Sequence, residues 1–153
     1  MKLITKSLKS KASSAVILIR LLVGLVFLSE GIQKFLYPEI RGAGRFVKIG
    51  LPEPEFLSYF VASFEIVCGV LIVLGLLTRL AVLPTITIML VAIFSTKIPM
   101  LSEEGFWHMA HAARTDFSML LGSLYLLIVG AGPLSIDAIL SWKKKPKKQS
   151  ADA

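Results

Sequence analysis

The chain has 153 residues, 55% of them hydrophobic, with a mean hydropathy of +0.75 and a formal net charge of +7. These values exclude an ordinary soluble domain, which keeps roughly half its residues apolar and spreads its charge throughout; here charge sits in patches and apolar residues run in blocks. The length suits one compact domain with no second soluble domain, and lysines placed in tails beside apolar blocks read as membrane-surface charge, not as a nucleic-acid footprint.

A basic segment over 1–14, with Lys2, Lys6, Lys9 and Lys11, leads into the first apolar run at 15–37. A hydrocarbon core needs about 20 apolar residues to cross. The run exceeds a signal-peptide h-region and no small-residue cleavage site follows, so it reads as a retained first helix. It carries Arg20 early, and Glu30 and Lys34 late; Pro38 stops it. The stretch 39–55 is rich in glycine and proline and reads as a loop with a short amphipathic helix over 43–49.

The second span is expected over 56–77, interrupted by Glu65, and the third over 80–96 after a tight turn at Thr78 and Arg79. Pro84 falls early in the third, where a lost hydrogen bond does least damage; Lys97 and Pro99 end it. Residues 100–114 read as a polar loop holding Glu103, Glu104, Trp107, His108 and His111. The fourth span covers 115–129 and continues towards 140 after a break at Gly130, Gly132 and Pro133. A basic, disordered tail follows over 141–153. The expected fold is an all-α, four-helix transmembrane bundle occupying 15–140.

Lysine and arginine placement sets the orientation. With four spans the termini share a side, which collects the lysines of both tails and Arg79. That side is expected to be the cytoplasmic face of a bacterial inner membrane, with the loops 38–55 and 97–114 outside.

This topology places charge at depth. Glu30 falls about 10 Å, and Glu65 about 13 Å, inside the outer boundary at 1.5 Å per residue. Lys34 lies one turn above Glu30 on the same face. His111, Arg114 and Asp116 enter the fourth span from the same side. Glu30, Lys34, Glu65, His111, Arg114 and Asp116 are therefore candidates to converge on one pocket. A carboxylate facing lipid costs several kcal/mol, so it should face the bundle or water. Two such carboxylates, with Lys34 and Arg114 as the available cations, would suit proton exchange at a quinone site or in a proton relay. Against this stand plain structural readings. Glu30–Lys34 makes an ordinary helix-surface ion pair, Glu65 can fix helix packing by hydrogen bonding, and near-interface cations snorkel.

His108 and His111 share a helical spacing that can flank a metal or haem, but a complete site needs further ligands, and no metal is expected. Cys68 shares a face with Glu65 and reads as a packing residue; a single cysteine forms no internal disulfide. Arg20, Arg79 and Asp137 fall near the cytoplasmic boundary, where an ion pair is the plain reading. Gly24, Gly31, Gly69 and Gly75 suit close helix contacts.

Three segments in order resemble the DoxX family of small four-helix membrane proteins: RLLVGLVFLSEGIQK from Arg20 to Lys34, FEIVCGVLIVLGLLTRLA from Phe64 to Ala81, and GAGPLSIDAIL from Gly130 to Leu140. The last departs from the family's ending in placing proline after the second glycine. The resemblance places Glu30, Lys34, Glu65, Arg79, Ser135 and Asp137 on motif positions. It implies a four-helix bundle linked to redox physiology, since some relatives are subunits of a thiosulfate:quinone oxidoreductase and others associate with enzymes handling superoxide and sulfur compounds.

The expectation is therefore a membrane subunit binding a quinone near Glu30 and Glu65, with electrons exchanged through a protein partner. The alternatives are a scaffold or assembly factor, and a small-solute or proton transporter that would need a homo-oligomer.

Overall fold

Each long apolar run folds as a helix because backbone N–H and C=O groups in lipid must be satisfied within the chain itself. The computed structural model describes residues 13–143; the expected basic segments at the two ends lie largely outside them. The helices are α1 (Val16–Leu36), α2 (Ala43–Lys48), α3 (Pro54–Leu74), α4 (Thr78–Ala92), α5 (Ile98–Glu104), α6 (Phe106–Val129) and α7 (Ile136–Lys143). A π-helical turn, Ile93–Lys97, joins α4 to α5 without a break. The four membrane spans are α1, α3, the continuous Thr78–Glu104 helix, and α6. No strand occurs among the described residues.

The spans pair as α1 with α3 and α4 with α6, with lighter packing between the pairs. Backbones approach closely within the first pair. A Cβ on Gly24 would lie 2.9 Å from the Gly69 carbonyl oxygen, and a Cβ on Gly69 would lie 2.9 Å from that of Gly24. Without a hydrophobic force between helices in lipid, such close van der Waals packing drives association. In the second pair the buried Thr85 hydroxyl bonds the Ser123 hydroxyl at 3.2 Å. A central column of Val23, Phe27, Cys68, Ile72, Val82, Met119 and Leu126 fills the bundle. Leucines and valines such as Leu18, Leu22, Val67 and Leu83 face outward. That apolar surface would be untenable in water and is at home in lipid.

Helix ends are locked together on the side that carries Ser13 and α7. Gly75, with φ of 68°, closes α3: its N–H bonds the Ile72 carbonyl at 3.1 Å and the Leu76 N–H bonds that of Leu71 at 2.9 Å. This is a Schellman closure. Arg20 then donates to the Ile72 and Val73 carbonyls at 3.0 and 2.6 Å, and to those of Ala131 and Leu134 at 3.0 and 2.5 Å. The charged side chains expected near this boundary thus also bond backbone groups at helix ends. Asp137 accepts from the N–H groups of Leu77 and Thr78 at 2.8 and 3.2 Å, at the start of α4. Arg79 donates to the Ile128 carbonyl at the end of α6, at 2.9 Å. Ser135 caps α7 through the Ala138 N–H at 3.2 Å.

Three boundaries differ from expectation. The turn before the third span is Gly75 to Leu77, so Thr78 and Arg79 belong to the helix, started there by Asp137. Pro99 does not end that helix. Its ring displaces the backbone behind it, and the helix widens into the π turn, with the Ile98 N–H bonding the Ile93 carbonyl five residues back. The segment 100–114 is helical on both sides of Gly105, whose φ is 83°. Residues on either side of Gly105 extend the third and fourth spans, so polarity alone does not mark a loop. The expected short helix near 43–49 is α2.

Candidate functional site

The buried face of α1 repeats at Arg20, Val23, Gly24, Phe27, Gly31 and Lys34, the three-and-four spacing of one helical stripe. The facing stripe on α3 is Ser58, Ala62, Glu65, Cys68, Gly69 and Ile72. Lys34 and Glu65 therefore meet inside the pair. Gly31 makes this possible, since a Cβ there would stand 3.0 Å from the Glu65 Cβ and 2.8 Å from the Ala62 carbonyl oxygen. Lys34 Nζ lies 2.6 Å from Glu65 Oε2. Glu65 is 2% exposed and Lys34 8%.

Glu30 sits off this stripe. Its carboxylate is 4.0 Å from Lys34 Nζ, and its side chain is 39% exposed. One ammonium thus serves a sealed carboxylate and a wetter one.

The second pair of spans repeats the arrangement. Lys97, the last residue of the π turn, is buried, and its Nζ lies 3.1 Å from Asp116 Oδ2 on α6. Within the turn the Thr96 hydroxyl donates to the Ala92 carbonyl at 2.6 Å. Each of the four spans thus contributes one member of an ion pair.

Both pairs line a single cavity of about 700 Å³ in the half of the bundle away from Ser13 and α7. This is within the range of small-molecule sites. Glu30 lines it as well, as do Arg45 of α2 and Arg41 just before that helix. Much of the remaining wall is apolar or aromatic: Phe27, Phe46, Leu57, Phe60, Phe64, Met89 and Met119. The geometry is that of an oily chamber with fixed charges at separate places on its wall.

Of the six candidate residues, four come together here: Glu30, Lys34, Glu65 and Asp116. His111 and Arg114 do not. Both are exposed on α6 and contact each other. The face of α6 that lines the cavity is Ala112, Thr115, Asp116 and Met119, and a helix begun at Phe106 turns His111 and Arg114 off that face. The cation beside Asp116 is Lys97, which had been read as a helix stop. Arg41 and Arg45 were also missed; of the two, only Arg45 falls on the short amphipathic helix expected over 43–49. His108 pairs with Glu104 at 2.8 Å on the exposed tip. Cys68 is buried in the core and does not line the cavity.

The DoxX family model matches residues 15–98. Over 140 residues the chain is 54% identical to an uncharacterized membrane protein of Mycobacterium tuberculosis, covering 88% of this chain and 86% of that one. Over 138 residues it is 30% identical to CatD of Bacillus subtilis, a protein named provisionally as an oxidoreductase, covering 88% of this chain and 93% of that one. No solved structure matches the chain.

Proposed function

The chain belongs to the DoxX family, and from that premise we propose that it is a redox-associated inner-membrane protein whose cavity binds a quinone or a related lipid-soluble molecule. The observation that carries this reading is the buried Lys34–Glu65 pair on the wall of an apolar, aromatic-lined cavity inside a membrane bundle. Intramembrane ionisable side chains are costly and concentrate at functional sites. A flat ring fits between aromatic walls. A quinone exchanges protons as well as electrons when it is oxidised or reduced.

The residues divide that work by depth. Lys34 donates a hydrogen bond to a ring oxygen. Glu65, sealed beside it, takes or gives the proton at that oxygen. Glu30, half open to water and sharing the same ammonium, passes the proton onward. Electrons are exchanged with a partner oxidoreductase. The provisional naming of CatD points in the same direction. Termini on the cytoplasmic side would place the cavity in the outer half of the membrane.

The test is purification in mild detergent with extraction and mass spectrometry of bound lipid-soluble molecules, for the wild type and a Glu30→Gln/Glu65→Gln variant. A quinone held by the wild type and absent from the folded variant is the expected result. Equal retention by both would sink the proposal. If neither retains nor takes up added quinone, the protein is a membrane scaffold whose partner must be sought instead.

A further inference from the structure

We propose that Lys97 and Asp116 form a second polar anchor of the same cavity, so that its ligand is a ring bearing oxygen at both ends. This rests on the quinone reading of the cavity and names which half of that ligand class it accepts.

The argument begins with donors and acceptors. An ammonium has three N–H donors and no acceptor, and an ionised carboxylate only accepts. Lys97 gives one donor to Asp116 at 3.1 Å, is buried, and lines the cavity. Buried donors need partners, and the remaining ones are met by whatever occupies the chamber. Each pair offers an N–H beside a carboxylate, so it can donate to a carbonyl or accept from a hydroxyl. The same pole therefore serves the oxidised and reduced forms of one ring oxygen. The first pole spans α1 and α3, and the second spans the third and fourth spans. A molecule in the cavity therefore has a pole on each pair of spans.

The backbone is built around the second pole. The π turn places Lys97 on the cavity wall at its last residue, and the Thr96 hydroxyl beside it bonds the Ala92 carbonyl. Single π turns inside α-helices concentrate at functional sites. An ion pair serving only to join two spans would need neither the widened turn nor a place on the cavity wall.

The experiment is calorimetric titration of the full-length protein in detergent with two probes, a short-chain 1,4-benzoquinone and a 4-alkylphenol of equal chain length, which has oxygen at one end only. In the wild type the quinone should bind at least about tenfold more tightly, the worth of one hydrogen bond to a charged group. Lys97→Gln/Asp116→Asn should lose that tenfold for the quinone and leave the phenol unchanged. Lys34→Gln/Glu65→Gln should weaken both. If the Lys97 and Asp116 variant binds quinone like the wild type while the Lys34 and Glu65 variant does not, the second anchor is refuted and the first reading stands. A wild type that binds neither probe overturns both. Should the double variant fail to accumulate, Asp116→Asn alone is titrated; equal weakening of both probes then marks a purely structural pair and overturns the proposal.

Discussion

Lys34 Nζ and Glu65 Oε2 stand 2.6 Å apart between the first two spans, on opposing stripes that Gly31 allows to close. The pair is therefore part of the helix interface and part of the cavity wall at once. The two roles can be separated by substitution. Removing one partner strands the other charge in a low-dielectric site, and for buried pairs this costs about 3–5 kcal/mol. Lys34→Met should lower thermal stability in detergent by that order. Lys34→Met/Glu65→Leu should recover most of it, because no uncompensated charge remains, yet bind no quinone. A double variant no more stable than the single one would show that the pair itself, not its imbalance, holds the helices.

Glu30 predicts a contrasting outcome. Its side chain is 39% exposed and its ion pair sits at the 4.0 Å limit. Surface-type pairs of this kind are worth about 0–1 kcal/mol. Glu30→Gln should leave thermal stability within about 0.5 kcal/mol of wild type and leave quinone affinity intact, while slowing quinone-linked turnover with a partner. A variant that loses affinity as fully as Glu65→Gln would place Glu30 against the ligand itself.

The far end of the bundle gives a stability prediction with no effect at the cavity. Arg20 serves four carbonyls drawn from the end of α3 and from the segment after α6. Only a planar fork reaches so many acceptors, and an ammonium does not replace it. Arg20→Lys should destabilise almost as much as Arg20→Met, each by at least about 2 kcal/mol, since every stranded buried acceptor costs about 1–3. Quinone affinity of the folded fraction should be unchanged. A well-tolerated Arg20→Lys would show that charge, not the fork, is what this end requires.

The sequence made depth legible and azimuth only partly so. Glu30 and Glu65 stood out because a carboxylate within an apolar run is costly wherever it points. Lys34 followed from its place one turn above Glu30. The number of spans and the short α2 helix were readable from hydropathy and from glycine and proline punctuation. Azimuth needs a helical register, and 100–114 had been assigned none. His111 and Arg114 were therefore grouped with Asp116 by depth alone, whereas a helix begun at Phe106 carries them onto the exposed face. Lys97 was hidden for a related reason. A π turn adds a residue to the register, and a cation followed closely by a proline looks like a helix end. Arg20, Arg79 and Asp137 were correctly placed at one end of the bundle, but hydrogen bonds to carbonyls and N–H groups leave no trace in side-chain pairing rules.

The last prediction concerns Gly75, where two requirements coincide. Its φ of 68° is one that side-chain-bearing residues adopt at a cost. A Cβ there would also stand 2.5 Å from the Ser135 Cβ and 2.7 Å from the Arg20 Cζ. Conformational strain alone makes Gly→Ala at positive φ destabilising by more than about 1 kcal/mol. The clash adds to it by pushing Arg20 off the carbonyls it serves. Gly75→Ala should therefore cost more than strain predicts, and the part of the excess owed to Arg20 should vanish when Arg20 is already Met, leaving the clash with Ser135. Thermal melts of the two single variants and the double variant measure that coupling. Additive costs would mean that the turn and the arginine stabilise the chain independently, and that Gly75 is needed for its backbone angle and its closeness to Ser135 rather than for Arg20.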